Sequence, residues 1–87
     1  MYFVYLLRCR DNSLYCGQTK NLDKRIIEHN FSKSKSAKYT KGRRPVKLVY
    51  SERIKTVSEA LKREYTIKKL SKAQKELLIQ RLKKRSI

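Results

Sequence analysis

Glu64 is the side chain whose position asks for a chemical explanation. Downstream of Thr56, Val57, Ala60, Leu61 and Ile67 recur at helical spacing, and Glu64 stands seven, four and three residues after the first three. A carboxylate in the middle of an apolar stripe must be paired, protonated or metal-bound. The structural alternative is a partly exposed glutamate paired along its helix with Arg63 or Lys68. Arg25 and His29, four residues apart, share one helix face and project from it together, although two polar residues on a solvated face need no further purpose. Other chemistries are poorly served. A two-metal nuclease needs several converging carboxylates, whereas this chain has only Asp11, Asp23, Glu28, Glu52, Glu59, Glu64 and Glu76, most of them suited to turns, caps or the surface. One divalent ion on a single Glu, completed by water and phosphate oxygens, remains feasible. Gly17 and Gly42 are the only glycines, too few for a nucleotide-phosphate loop. Cys16 with His29 is a weak nucleophile pair, and Cys9, Cys16 and His29 offer three zinc ligands without an obvious fourth.

The elements that must position these residues follow from pattern. Tyr2 to Arg8 is apolar on both faces, as expected of a central strand covered on two sides. Asp11-Asn12-Ser13 is turn chemistry, and Leu14 to Thr19 completes a hairpin. A two-residue loop pairs positions summing to 23 and sends Tyr5 and Tyr15 to opposite faces; a three-residue loop sums to 24 and brings them together. Asn21 caps a helix reaching Asn30, with Asp23 in its first turn and Leu22 and Ile26 as its buried stripe. Phe31 to Pro45 is rich in Ser and Lys and is expected to be a mobile basic loop. Val46 to Ser51 alternates as a third strand, with Val46, Leu48 and Tyr50 on one face. Thr56 opens a capping box for a helix to about Lys69. Ser71 opens another, whose apolar stripe is Ala73, Leu77, Leu78 and Leu82 and whose negative end suits Lys83, Lys84 and Arg85. The expected fold is α/β: a small antiparallel three-stranded sheet flanked by helices, in one domain over residues 1–87.

Composition points to the partner. Lys and Arg number 24 against seven acidic residues, and the formal charge of +17 repels itself unless something anionic compensates. Nucleic acid is the obvious polyanion, and Lys38, Tyr39, Lys41, Arg43 and Arg44 are the candidates for gripping its backbone. With 39% hydrophobic residues the chain has the apolar side chains that a disordered basic tail lacks. The longest apolar run, Met1 to Leu7, is too short to span a bilayer and lacks the basic start of a secretory signal. No membrane partner and a cytoplasmic location are therefore expected.

Phe3-Val4-Tyr5 and Tyr15-Cys16-Gly17, with tyrosines ten apart in a hairpin, resemble the two short motifs that name the GIY-YIG nuclease superfamily. Arg25, His29 and then Glu64 resemble that family's order of arginine, histidine and metal-binding glutamate, and AKYTKGRRPVKLVYSE followed by EALKREYTIKKLS resembles its small stand-alone bacterial branch. Phe3, Val4 and Cys16 depart from the motif residues, and no asparagine follows Glu64 where many members carry one. The resemblance implies the same α/β fold and metal-dependent hydrolysis of phosphodiester bonds in nucleic acid, with DNA the expected polymer. It implies Tyr5 as general base, its phenol lowered by nearby positive charge, and His29 and Tyr15 as residues that position or relay the proton. It further implies Arg25 as the group neutralising the phosphate and Glu64 as the ligand of one Mg²⁺ or Mn²⁺. A catalytically silent nucleic-acid-binding module is the alternative, and a basic ribosome- or protein-associated factor is a third class.

Overall fold

The computed structural model describes the backbone of residues 1–85 and side chains through Leu82. Lys83, Lys84 and Arg85, expected to complement the end of the last helix, have side chains outside the described residues. Strands β1 (Tyr2–Arg8), β2 (Leu14–Thr19) and β3 (Lys47–Ile54) form an antiparallel sheet in the order β2-β1-β3. The doubly apolar β1 is thus the central strand, and its alternation divides the core. Val4 and Leu6 face one layer with Cys16, Ala60, Ile67 and Ile79; Tyr5 and Leu7 face the other with Cys9 and Val46. Val4, Leu6 and Leu7 are fully buried, each worth about 1.5–3 kcal/mol of apolar transfer.

Helices α1 (Leu22–Phe31) and α2 (Lys38–Lys41) cover the Tyr5 side, and α3 (Val57–Lys68) and α4 (Lys72–Arg85) the Val4 side. The caps lie where side-chain chemistry places them. Asn21 Oδ1 accepts from the Lys24 N–H, and Thr56 Oγ1 from the Glu59 N–H. Ser71 and Gln74 satisfy each other reciprocally.

Several expectations need correction. The hairpin register pairs Tyr5 with Gly17 and Leu7 with Tyr15, leaving five residues between Arg8 and Leu14 rather than two or three. The parity survives because five is also odd. Asp11 accepts from the Ser13 N–H, Asn12 takes φ 69°, and the Cys9 N–H donates to Ser13 O, which closes the wider turn. Strand β3 runs on to Ile54, past the expected end at Ser51, because β1 offers partners back to Tyr2, and Glu52 is held bidentately by Arg63. A bulge opposite Leu6 and Leu7 splits the expected face: Leu48 pairs with Leu7, whereas Tyr50 pairs with Leu6 on the other side.

Phe31 to Pro45 contains α2 and is fastened to the body. Asn30 exchanges two hydrogen bonds with the Val46 backbone, and Arg44 bonds Ser32 O and Ser36 Oγ. In α4, which packs on β3, the buried anchor is Ile79 with Leu78 partly buried beside it, whereas Ala73 and Leu77 are exposed. In α3 the stripe narrows to Ala60 and Ile67, with Val57 and Leu61 about half exposed.

Candidate active site

Tyr5 projects from the middle of β1, and its phenol passes over the backbone of Gly17 on the neighbouring strand. A Cβ at position 17 would lie 2.5 Å from Tyr5 Oη and 3.1 Å from the Tyr15 ring, so only glycine leaves room for both tyrosines. Tyr15, two residues earlier on β2, shares the face. The two ring centroids are 6.5 Å apart, and His29 makes edge contacts with Tyr5 at 6.0 Å and Tyr15 at 5.2 Å.

His29, on the last turn of α1, is fully buried. Its Nε2 is 2.9 Å from Tyr5 Oη, and its Nδ1 is 3.0 Å from the hydroxyl of Thr40 on α2. Burial, reinforced by the Arg25 charge, lowers the imidazole from 6.5 to about 4, so the ring is neutral at pH 7. Burial, followed by the charge of Tyr15, pushes the Tyr5 phenol up to about 12. The expectation of a phenol lowered by positive charge is therefore corrected for the free protein. Arg25 pulls it downward but does not overcome its desolvation.

Arg25 stands one helical turn before His29 and is already engaged. Its NH1 donates to Glu28 Oε1 at 3.1 Å and to Lys35 O at 2.5 Å. Glu64 comes from α3, on the Val4 side of the sheet, with a side chain only 17% exposed and an ion pair to Lys68 at 3.0 Å. Of the two partners the sequence offered, Lys68 is the one used, because Arg63 is committed to Glu52. The Glu64 charge is felt at both Tyr5 and Cys16, where it acts upward.

Among the described residues no three His, Cys, Asp or Glu side chains converge as a ready-made metal cage. Glu64 alone fits a hard divalent cation of the kind that takes one or two carboxylates and fills its shell from water and phosphate. Its Lys68 partner, half exposed and one turn away, is an exchangeable surface ion pair. Cys9 and Cys16 sit in different core layers, and burial pushes the Cys16 thiol up to about 11, which leaves it a packing residue rather than a nucleophile.

The basic candidates divide. Tyr39 stacks on Tyr15 with centroids 5.9 Å apart and carries the Arg43 guanidinium 4.1 Å above its ring, which extends the tyrosine-histidine cluster to the surface. Lys38 and Lys41 are exposed on α2. Arg44 instead turns into the loop it fastens. Sequence reasoning missed Thr40, which is fully buried, and Glu28, although its spacing of three from Arg25 made the ion pair readable. A separate cleft of about 660 Å³, between β3, α3 and α4, is lined by Tyr50, Glu52, Arg63 and Arg81 and shares no residue with this cluster.

A three-stranded antiparallel sheet whose hairpin presents two tyrosines, with Arg and His on the following helix and Glu on a later one, defines a GIY-YIG-type catalytic domain. The family model for the GIY-YIG catalytic domain matches residues 1–77, and the chain belongs to that family, a family of nucleases. It is 54% identical to the UPF0213 protein of Staphylococcus saprophyticus over 78 residues, which is 90% of this chain and 93% of that protein. It is 56% identical to the UPF0213 protein of Clostridium perfringens over 79 residues, 91% and 83% of the two chains. The solution NMR structure of the UPF0213 protein of Bacillus halodurans superposes with a TM-score of 0.58 at 42% identity, over 92% of this chain and 84% of that one. No helix among the described residues is long and apolar enough to cross a membrane.

Proposed function

We propose that the chain is a single-domain, metal-dependent endonuclease that hydrolyses phosphodiester bonds in nucleic acid, DNA in the first place, in the cytoplasm. The observation that carries this reading is the buried Tyr5–His29 hydrogen bond of 2.9 Å in a cluster that both Arg25 and Glu64 influence electrostatically. Tyr5 takes a proton from the attacking water after passing its own to His29. In the free protein burial disfavours charge on both the phenol and the imidazole, so the site rests with both groups neutral. Substrate changes that balance through Arg25. A phosphate entering the cleft competes with Glu28 for the guanidinium, which then neutralises charge on the pentacovalent phosphorus. Tyr15 packs both rings in place, and Tyr39, Arg43, Lys38 and Lys41 grip the flanking backbone. Glu64 would hold Mg²⁺ or Mn²⁺, which when bound supplies Lewis-acid stabilisation of the leaving oxygen.

The Glu64–Lys68 ion pair favours one other reading, a silent binding module whose former ligand is permanently paired. Cleavage of a panel of single-stranded, duplex, flap and forked substrates with Mg²⁺ or Mn²⁺, by the wild-type chain and Tyr5→Phe, separates the two. The nuclease reading predicts metal-dependent nicks that Tyr5→Phe loses with binding intact. Binding without cleavage across the panel would establish the silent module.

A further inference from the structure

We propose that Thr40 is a positioning residue that fixes His29 in its Nδ1–H tautomer, so that the Nε2 lone pair is left to accept the phenolic proton of Tyr5. The tautomer follows from the hydrogen bonds alone; its catalytic consequence rests on the nuclease reading above.

Four groups stand in a row: Tyr5 Oη, the two ring nitrogens of His29, Thr40 Oγ1 and the carbonyl of Ala37, with contacts of 2.9, 3.0 and 3.0 Å. Hydrogens can fill this row in two ways. In one, Tyr5 O–H donates to Nε2, Nδ1–H donates to Thr40 Oγ1, and the Thr40 hydroxyl donates to Ala37 O. Every hydrogen then has an acceptor. In the other, the Thr40 hydroxyl donates to Nδ1 and Nε2–H donates to Tyr5, which leaves the phenolic hydrogen with no acceptor among the described residues. In the free protein, before the attacking water enters with substrate, Tyr5 is 1% exposed and its charged neighbour Arg25 can only donate, so His29 is the acceptor left for the phenolic hydrogen. Ala37 O decides nothing, because the Thr40 and Lys41 N–H groups also reach it. The orphaned phenol at the other end selects the first arrangement.

Thr40 is an unusual residue to find fully buried, flanked as it is by exposed Tyr39 and Lys41. Its hydroxyl turns inward from a four-residue helix whose N-cap, Ala37, has no capping side chain. A side-chain partner on the second ring nitrogen is the usual means by which a protein sets which histidine nitrogen carries hydrogen. Lys38, Tyr39, Lys41 and Arg43 can grip a substrate from the same segment that delivers this hydroxyl.

His29 is the chain's single histidine, so ¹⁵N-histidine labelling of the full chain yields one ring with two nitrogen signals. Spectra at pH 7.5 should show protonated Nδ1 and unprotonated Nε2 in the wild type. Thr40→Ser should keep that pattern. Thr40→Val, which retains shape but accepts no hydrogen bond, should shift the ring toward Nε2–H or averaged signals. Cleavage per folded molecule should fall roughly 10- to 100-fold in Thr40→Val and hold in Thr40→Ser, the range seen when the partner orienting a functional histidine is lost. An Nε2–H ring in the wild type would overturn the proposal even if Thr40→Val failed to fold. So would a folded Thr40→Val with the wild-type tautomer. Absence of cleavage in all three proteins, with the tautomer lost only in Thr40→Val, would support the assignment and refute the nuclease reading alone.

Discussion

Replacing Gly17 by Ala tests whether the Tyr5 phenol is held where the chemistry needs it. The added Cβ would meet Tyr5 Oη at 2.5 Å and Cζ at 2.7 Å, whereas ordinary contact begins at 3.4 Å, so the oxygen must retreat by about 0.9 Å. Tyr5 has nowhere easy to go, being 1% exposed and flanked by Tyr15 and His29. Overpacking of this kind costs about 1–3 kcal/mol. Loss of the bond to His29 adds about 1–3 kcal/mol for a buried hydroxyl without a partner. Neither glycine has positive φ, so backbone entropy favours alanine by about 0.4–1 kcal/mol, which the steric terms outweigh. A net loss of about 3 kcal/mol lowers the melting temperature of a domain this size by roughly 12–24 °C. A reactive atom displaced by nearly 1 Å costs turnover on the order of 100-fold. Thermal unfolding and single-turnover cleavage per folded molecule measure both effects. Gly42→Ala is the control, since its Cβ meets nothing within 4 Å and both readouts should stay near wild type. A Gly17→Ala protein with wild-type stability and turnover would refute the close-packing argument.

Three further outcomes follow. His29 is neutral in the fold and lowered to about 4 from an ordinary 6.5, so the unfolded chain binds its proton first; stability is unaffected above pH 6.5 and falls by about 3 kcal/mol as pH drops from 6.5 to 4. Denaturant titrations across that window should show the loss in the wild type and not in His29→Gln, and equal slopes in both would contradict the neutral ring. Duplex affinity should fall with salt at a log-log slope near −0.9 per neutralised phosphate, flattened by Lys41→Ala and Arg43→Ala. Arg44→Ala should instead lower the melting temperature because its guanidinium fastens Ser32 and Ser36; salt-independent binding would remove the nucleic-acid assignment. Glu28→Gln, by releasing Arg25, should tighten binding of a phosphodiester, and weaker binding by a folded variant would show that the ion pair holds the guanidinium in its working pose.

Much of this arrangement was legible in local chemistry. The double apolar face of β1 made it central, and side chains capable of capping opened three helices at Asn21, Thr56 and Ser71. Parity in the hairpin required an odd connection if Tyr5 and Tyr15 were to share a face, and the five-residue loop is odd. What escaped is set by partners distant in sequence. The bulge in β3 is a mismatch between two strands, invisible in the alternation of one. Thr40 sits among lysines, and nothing local distinguishes a hydroxyl that enters the core from one that faces water. Ile79 rather than Leu77 anchors α4 because the line it turns to the core is set by its packing on β3, which its own periodicity does not encode. The direction of the Tyr5 shift escapes for a related reason: positive residues are plentiful in the chain, but the burial of Tyr5 by distant elements outweighs the downward pull of Arg25.

Glu64→Gln bears most directly on the claim that this cluster hydrolyses phosphodiester bonds with one carboxylate-held metal. The substitution keeps size and helix propensity, removes the charge, and dissolves an ion pair with a half-exposed lysine that contributes little to stability. Mg²⁺- or Mn²⁺-dependent cleavage per folded molecule, measured beside the wild type on the same substrate, should disappear while the melting temperature and nucleic-acid affinity hold or rise. Full cleavage by the folded Glu64→Gln protein would contradict the account.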